Sequence, residues 1–369
     1  MPNSRAIAGN IAMPGFTAPK LAWVLKHEPD VFEQTRTVLL PKDYVRVALT
    51  GDKASDLPDS AGTLWLDVAA RDWSDPLLAA TGLSREHMPR LHEGPEETGS
   101  LRPALAARWG TAVVPVVAGA GDNAAGAVGV GVVNDGDALL SLGTSGVIFV
   151  AADRFRPNPG RAVHAFCHCL PGLWHQMSVH LSAASCIDWA ARQLGYDVAE
   201  ILALAERAGA AAGSELFLPY LSGERTPHNY PHLRAALLGL SNDTEPDHIA
   251  AAVLEGVAFA HADGLAALRE TGSVVDELLV IGGGARSRYW GTIISAALGV
   301  RLAYPEHCEV GPALGAARLA RIGVESCSIA DAFARPQIAA VIEPDPRLAD
   351  QLAPKLERFR SAYPALKSI

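Results

Sequence analysis

Apolar positions along the chain change period from one stretch to the next, and the changes outline its elements. Residues 138–150, ALLSLGTSGVIFV, read as two apolar strands around a Gly-Thr-Ser-Gly turn. Residues 182–194 and 288–298 carry helical spacing, and Gly299 ends the second of them. From Asp247 to Glu270 the pattern predicts one long amphipathic helix, with Thr244 as its N-cap and Pro246 tolerated in the first turn. Short strands are expected at 216–221, 277–281 and 301–304, a helix at 312–321 and a polar closing helix at 349–363. Residues 111–118, TAVVPVVA, read as a short buried strand that separates two unlike regions. Before it, helical pieces at 20–26 and 41–49 are joined by Asp, Pro and Gly turns, without the strands of a self-contained sheet. After it, strands and helices alternate, which implies an α/β layer architecture. The division expected is a partial first domain over 1–118, a second domain over 119–345 and a terminal helix over 346–369.

A length of 369 residues fits about two domains, and 49% hydrophobic content suffices for a core. The net charge of −9, with no block rich in Lys and Arg, argues against a nucleic-acid partner. No leader or apolar run long enough to cross a bilayer stands out, so a cytoplasmic protein without a membrane partner is expected. The five cysteines, Cys167, Cys169, Cys186, Cys308 and Cys327, form no CxxC pair. Cys167-His-Cys169 has no second ligand pair to complete a zinc site, so buried free thiols are expected.

Four stretches carry chemistry. Gly119 to Gly131, GAGDNAAGAVGVG, sets Asp122 and Asn123 among tiny side chains. A general base needs an unobstructed path to a hydroxyl proton, and Asn123 can both donate and accept. Taken alone, Asp122 reads first as a helix N-cap, which is compatible with a reachable carboxylate. The hairpin tip Gly143-Thr144-Ser145-Gly146 offers backbone N–H groups to phosphate oxygens, although taken alone it reads first as an ordinary hairpin turn. Ile281 to Ser287, IGGGARS, joins a strand to a helix and lets a flat ligand approach. As a dinucleotide fingerprint it fails at Ser287; the nicotinamide alternative rests on GGGARS together with Glu306, which follows the next strand about where a ribose-binding acid would sit. Leu221 to His228 gathers Glu224, Arg225, Thr226 and His228 in a loop that suits a solvated surface or a polyol and phosphate site. Around Gly315 the small residues favour helix packing.

With these stretches in hand, the chain resembles the FGGY family of carbohydrate kinases over its whole length. Two signatures carry the resemblance, Gly15 to His27 (GFTAPKLAWVLKH) and Ala235 to Glu255, together with LPYLSGERTPH and VGPALGAARLA in the expected order. The resemblance implies an actin/hexokinase-like (ribonuclease H-like) ATPase fold, with two domains around a cleft and the first domain incomplete. It implies transfer of the ATP γ-phosphoryl group to D-xylulose with Mg²⁺, in pentose catabolism. On the family pattern Asp122 is the base, and Asn123, Arg225 and Thr226 meet the sugar. Gly143, Thr144, Ser145, Gly283, Gly284, Ala285, Ser287 and Gly315 would face the nucleotide, with no protein metal ligand assigned and a homodimer compatible with the family. The family's opening Asp-x-Gly-Thr hairpin and a Gln-Met-His sugar segment are not found, so weak turnover by this chain is expected. The alternative is a nucleotide-binding remnant of a sugar kinase without catalysis.

Overall fold

The computed structural model describes residues 4–306, 311–333 and 336–367; Cys308 lies outside them, as does Val310, the first residue of VGPALGAARLA. Seven strands form the central sheet: β1 (Ala138–Leu142), β2 (Gly146–Ala152), β3 (His164–Cys167), β4 (Trp174–His180), β5 (Glu277–Ile281), β6 (Arg301–Pro305) and β7 (Ile338–Ile342). Their order is β7-β6-β5-β1-β2-β4-β3. β5 runs parallel to both β6 and β1, while every other pairing is antiparallel. The Gly-Thr-Ser-Gly turn joins β1 to β2 as the alternation of apolar residues required.

Side chains of a strand alternate between faces, and both faces of this sheet are buried. Leu140, Leu142, Ile148 and Val150 join a core shared with the helices α3 (Ala184–Leu194), α4 (Pro246–Arg269), α5 (Arg288–Leu298) and α7 (Pro346–Lys367). Leu139, Phe149, Ala151, Phe166 and Met177 point the other way and pack with Trp65, Leu66, Val68 and Leu78. The first region is therefore not a free-standing unit. Its apolar side chains cover one face of the sheet, and this core crosses the boundary expected at residue 118. Its own strands make only two-stranded pairings among the described residues, one of them joining Glu97–Ser100 to Pro115–Val117. Residues 111–114 are exposed coil, so the strand expected over 111–118 is shorter and less buried than its apolar run indicated.

Two expectations need correction. The cap of α4 is Glu245, in a capping box with His248, while Thr244 spends its hydroxyl on Glu215 Oε1 at 2.5 Å. The same helix is long and apolar enough to span a membrane, contrary to the sequence expectation, but 89% of its most apolar window is buried inside the protein. It is a core helix. Glu255, which closes the second signature, sits on α4 with its carboxylate 2.5 Å from Lys355 Nζ of α7 and accepts the Ala211 N–H. Breaking such a buried pair by removing one partner leaves an uncompensated charge, so this signature residue clamps the terminal helix.

Helix α2 (Asp122–Gly129) lies against α6 (Pro312–Glu325), and Arg318 of α6 donates to the carbonyls of Val128 and Gly129. Gly315 is buried at this crossing, and a Cβ there would collide with the carbonyl of Ala125. Packing, the reading that stretch supported by itself, accounts for Gly315. Gly315→Ala is expected to cost about 1–3 kcal/mol of stability by overpacking, read as a lowered midpoint in thermal or urea unfolding. An unchanged midpoint would contradict this packing role.

Candidate active site

Parallel pairing decides where the chemistry can sit. Ile281 of β5 lies opposite Ser141 of β1, so the hairpin 143–146 and the turn 282–287 leave the sheet at the same edge. Ligands of open α/β sheets gather outside the carboxyl ends of such strands. The contact is close: a Cβ at Gly282 or Gly284 would strike Leu142, and Gly282 has a φ of +89°. Two of the three glycines are thus required by the approach of the turn to the hairpin. Gly283 is exposed, with open space where a Cβ would stand. Ala285 is buried in the core, and Ser287 caps α5 by accepting the Trp290 N–H. Of Gly283, Gly284, Ala285 and Ser287, only Gly283 keeps an exposed and unobstructed surface.

The hairpin is held from behind. The carbonyls of Gly143 and Thr144 accept N–H groups from Ala184 and Ala183, and Ser185 Oγ adds a bond to Thr144 O at 2.8 Å. Gly146 lies so close to His261 that a Cβ would overlap its Nε2. His261 Nδ1 bonds to Val257 O at 2.8 Å, and Nε2 has no partner. Burial holds this imidazole down at about 3, so it supports the hairpin as a neutral ring. Thr144 and Ser145 remain exposed at the tip.

Beside this edge opens a cavity of about 610 Å³ lined by Asp122, Asn123, Gly143, Ser145, Asp59 and Arg225, among others. Asp122 is the first residue of α2 and Gly121 is its N-cap, which corrects the N-cap reading of Asp122. Its Oδ1 accepts from the backbone and the side-chain amide of Asn123, at 2.7 and 3.0 Å, and both residues are exposed. Small neighbours therefore do leave the carboxylate open. The segment that delivers it is fixed: the Arg46 guanidinium donates to the carbonyls of Val117 and Ala118, and Gly119 N–H donates to Gly94 O.

The loop 221–228 divides. Arg225 reaches the cavity, where its Nη1 lies 3.4 Å from His164 Nε2. His164 Nδ1 meets Asn10 Oδ1 at 2.9 Å, and the Asn10 amide nitrogen is already committed to two backbone carbonyls. That assigns the proton to Nδ1 and leaves Nε2 to accept from Arg225. Burial and the Arg225 charge push His164 down to about 3, so the ring is neutral. Glu224 is buried, accepting from the backbone of Leu181 and Arg225. Thr226 corrects a second expectation. It is fully buried, donates to Ala162 O and accepts from Val179 N–H, so it anchors the loop and does not meet a sugar. His228 stacks on Tyr363 at 3.5 Å.

Sequence reasoning missed Asp59, His164 and Asn10. In Asp56-Leu-Pro-Asp59 the first Asp caps the helix Leu57–Ala61, but no local pattern shows that the second borders the cavity. A second cavity, also about 610 Å³, opens at the amino-terminal ends of β1, β5 and β6. It holds none of the candidate site residues named above, and ion pairs such as Arg301–Glu277 occupy its polar lining. Among the described residues no cluster of three or more ligating side chains could hold a metal ion. Cys167, Cys169 and Cys186 are buried free thiols, and Cys327 is free but half-buried.

Models of the FGGY family of carbohydrate kinases match the chain twice, the N-terminal domain over residues 1–129 and the C-terminal domain over 138–324. The chain is 51% identical to the xylulose kinase of Escherichia coli K12 over 99% of its own length and 76% of that protein's. It is 50% identical to the xylulose kinase of Klebsiella pneumoniae with the same coverage. Among solved structures, a xyloylose kinase from Brucella ovis superposes with a TM-score of 0.96 at 49% identity, covering all of this chain and 76% of that one. The xylulose kinase of Rhodospirillum rubrum gives 0.91 at 28%, over 99% and 75%.

The geometry of Thr226 separates an anchoring role from a binding one. Thr226→Val leaves the Val179 N–H without an acceptor and is expected to cost about 1–3 kcal/mol of stability, seen in denaturant unfolding, while sugar affinity of the folded protein holds. Unchanged stability with weakened sugar binding would restore the contact role.

Proposed function

Because the chain belongs to the FGGY family of carbohydrate kinases, we propose that its cleft transfers the γ-phosphoryl group of ATP to the terminal hydroxyl of D-xylulose, giving D-xylulose 5-phosphate and ADP. The observation that carries this reading is the convergence of an open carboxylate, Asp122, with the hairpin 143–146 at one cavity. Relatives of about half-identical sequence bear the name xylulose kinase, which supports the choice of sugar.

Phosphoryl transfer asks a protein for positioning and charge stabilisation more than for covalent chemistry. Asp122 takes the proton of the attacking hydroxyl, while Asn123 holds that hydroxyl or its neighbour. Arg225, fixed by the neutral His164, contributes positive charge and directional donors to the cleft. The exposed tip at Thr144 and Ser145, with Gly143 behind it, faces the phosphates, and Gly283 leaves room for the rest of the nucleotide. Mg²⁺ is held chiefly by phosphate oxygens and water in such reactions. Mg²⁺ bound in that way would neutralise phosphate charge in the cleft, while Arg225 supplies the protein's own positive charge there.

A coupled assay of ADP release is expected to show turnover that depends on D-xylulose, and Asp122→Asn to lower kcat by about 10²–10⁴-fold, the usual worth of a positioned base. The same assay decides whether turnover by this chain is weak. Binding of ADP with no effect of D-xylulose on turnover or affinity would overturn the proposal in favour of a nucleotide-binding protein without catalysis.

A further inference from the structure

Beneath the cavity floor five charges share one small space. Lys42 Nζ, at the start of α1 (Pro41–Thr50), lies 2.6 Å from Asp43 Oδ1, 2.5 Å from Asp56 Oδ2 and 3.5 Å from Asp59 Oδ2. Arg46 adds a contact to Asp43 at 3.7 Å. Asp43 and Asp56 are fully buried and committed, since Asp43 also accepts from Ser55 Oγ and Asp56 caps the helix Leu57–Ala61. Three carboxylates thus face two cations, and both cations are drawn first to Asp43 and Asp56.

Asp59 is the third carboxylate, and it differs from the other two. Its side chain is 35% exposed. Its Oδ1 lies 3.1 Å from where a Cβ of Gly121 would stand, immediately before Asp122. Among the described residues no hydrogen-bond donor reaches Oδ1. Burial, then the like charge of Asp56, hold this carboxyl up at about 6 against the pull of Lys42. Without a ligand, its charge is therefore a net cost to the fold. A carboxylate kept at a cost, unpartnered on the cavity side and next to the base, has the character of a functional group rather than a structural one.

We propose that Asp59 is a sugar-contacting residue of the cleft, whose Oδ1 accepts a hydrogen bond from a hydroxyl of the polyol substrate beside Asp122. The proposal rests on the functional reading given above. An ionised carboxylate only accepts, so it selects a substrate that presents a hydroxyl at that point. The groups around it are Lys42 and Asp43 from α1, Asp56 from the adjoining strand, Asp122 from α2, and His164 and Arg225 across the cavity. His164 stays neutral between pH 5 and 8, and Arg225 stays charged.

The signs follow. A carboxyl raised from 3.8 to about 6 by folding makes the unliganded protein lose stability as pH rises through that window. Sugar binding needs the ionised form, so affinity gains as pH rises through the same window. Asp59→Asn separates the two. Calorimetric titration of the whole chain with D-xylulose from pH 5 to pH 8 is expected to show wild-type affinity rising with pH. The variant is expected to bind on the order of tenfold more weakly at pH 8, as loss of a hydrogen bond to a charged group implies, and with a flat pH profile. Its thermal midpoint at pH 8 should equal or exceed that of the wild type, and its ADP affinity should not change. Equal sugar affinity and equal pH slope in both proteins would overturn the assignment. So would a variant that melts lower and loses sugar and ADP binding together, the mark of a structural residue. If D-xylulose fails to bind even the wild type, the functional reading falls, and the Asp59 assignment falls with it.

Discussion

The parallel pairing of β1 with β5 is the constraint on which the rest depends. With Ile281 opposite Ser141, two glycine-rich turns that are far apart in sequence leave the sheet side by side. Each then limits the side chains of the other, because Gly282 and Gly284 must be small to pass Leu142. A slip of one residue would turn every apolar side chain of the strand to the wrong face. Cores on both faces oppose such a slip, so the hydrophobic pattern of the sheet is also what keeps the site in register.

Around that edge, polar groups divide their work by burial. Those sealed from water hold the scaffold: Glu224 fixes its loop, Thr226 ties that loop to β4, and Glu255 clamps α7. Buried imidazoles serve as neutral shapes and acceptors, with His261 behind the hairpin and His164 behind Arg225. The groups left open, Asp122, Asn123, Thr144 and Ser145, have small or glycine neighbours. A site assembled in this way presents few polar groups, and each is oriented by partners that cannot rearrange without exposing or orphaning a buried group.

Much of this was legible in the sequence where a pattern was local and periodic. The β1–β2 hairpin, α4, α5 and β5 follow from alternation, helical spacing and the stop at Gly299. Asp122 stood out because nothing nearby could hide it. Legibility failed where tertiary contact decides. Strands β3 and β4 carry His, Gln and Ser among their apolar residues, and they become strands by pairing with β2 and with each other. Thr244 and Thr226 look free in sequence, yet their hydroxyls are spent on Glu215, and on Ala162 and Val179. Asp59 gives no local sign of facing the cleft, since only the folding of α1 against the segment that leads to Gly121 brings it there.

The central claim is spatial: the open Asp122 carboxylate and the Gly143–Ser145 tip flank a single reaction centre. A crystal structure of the chain with D-xylulose and a non-hydrolysable ATP analogue tests it most directly. The account predicts the sugar's terminal hydroxyl within about 2.6–3.2 Å of the Asp122 carboxylate and the γ-phosphate between that hydroxyl and the hairpin tip. A sugar seated away from Asp122, or a triphosphate that does not touch residues 143–145, would contradict it.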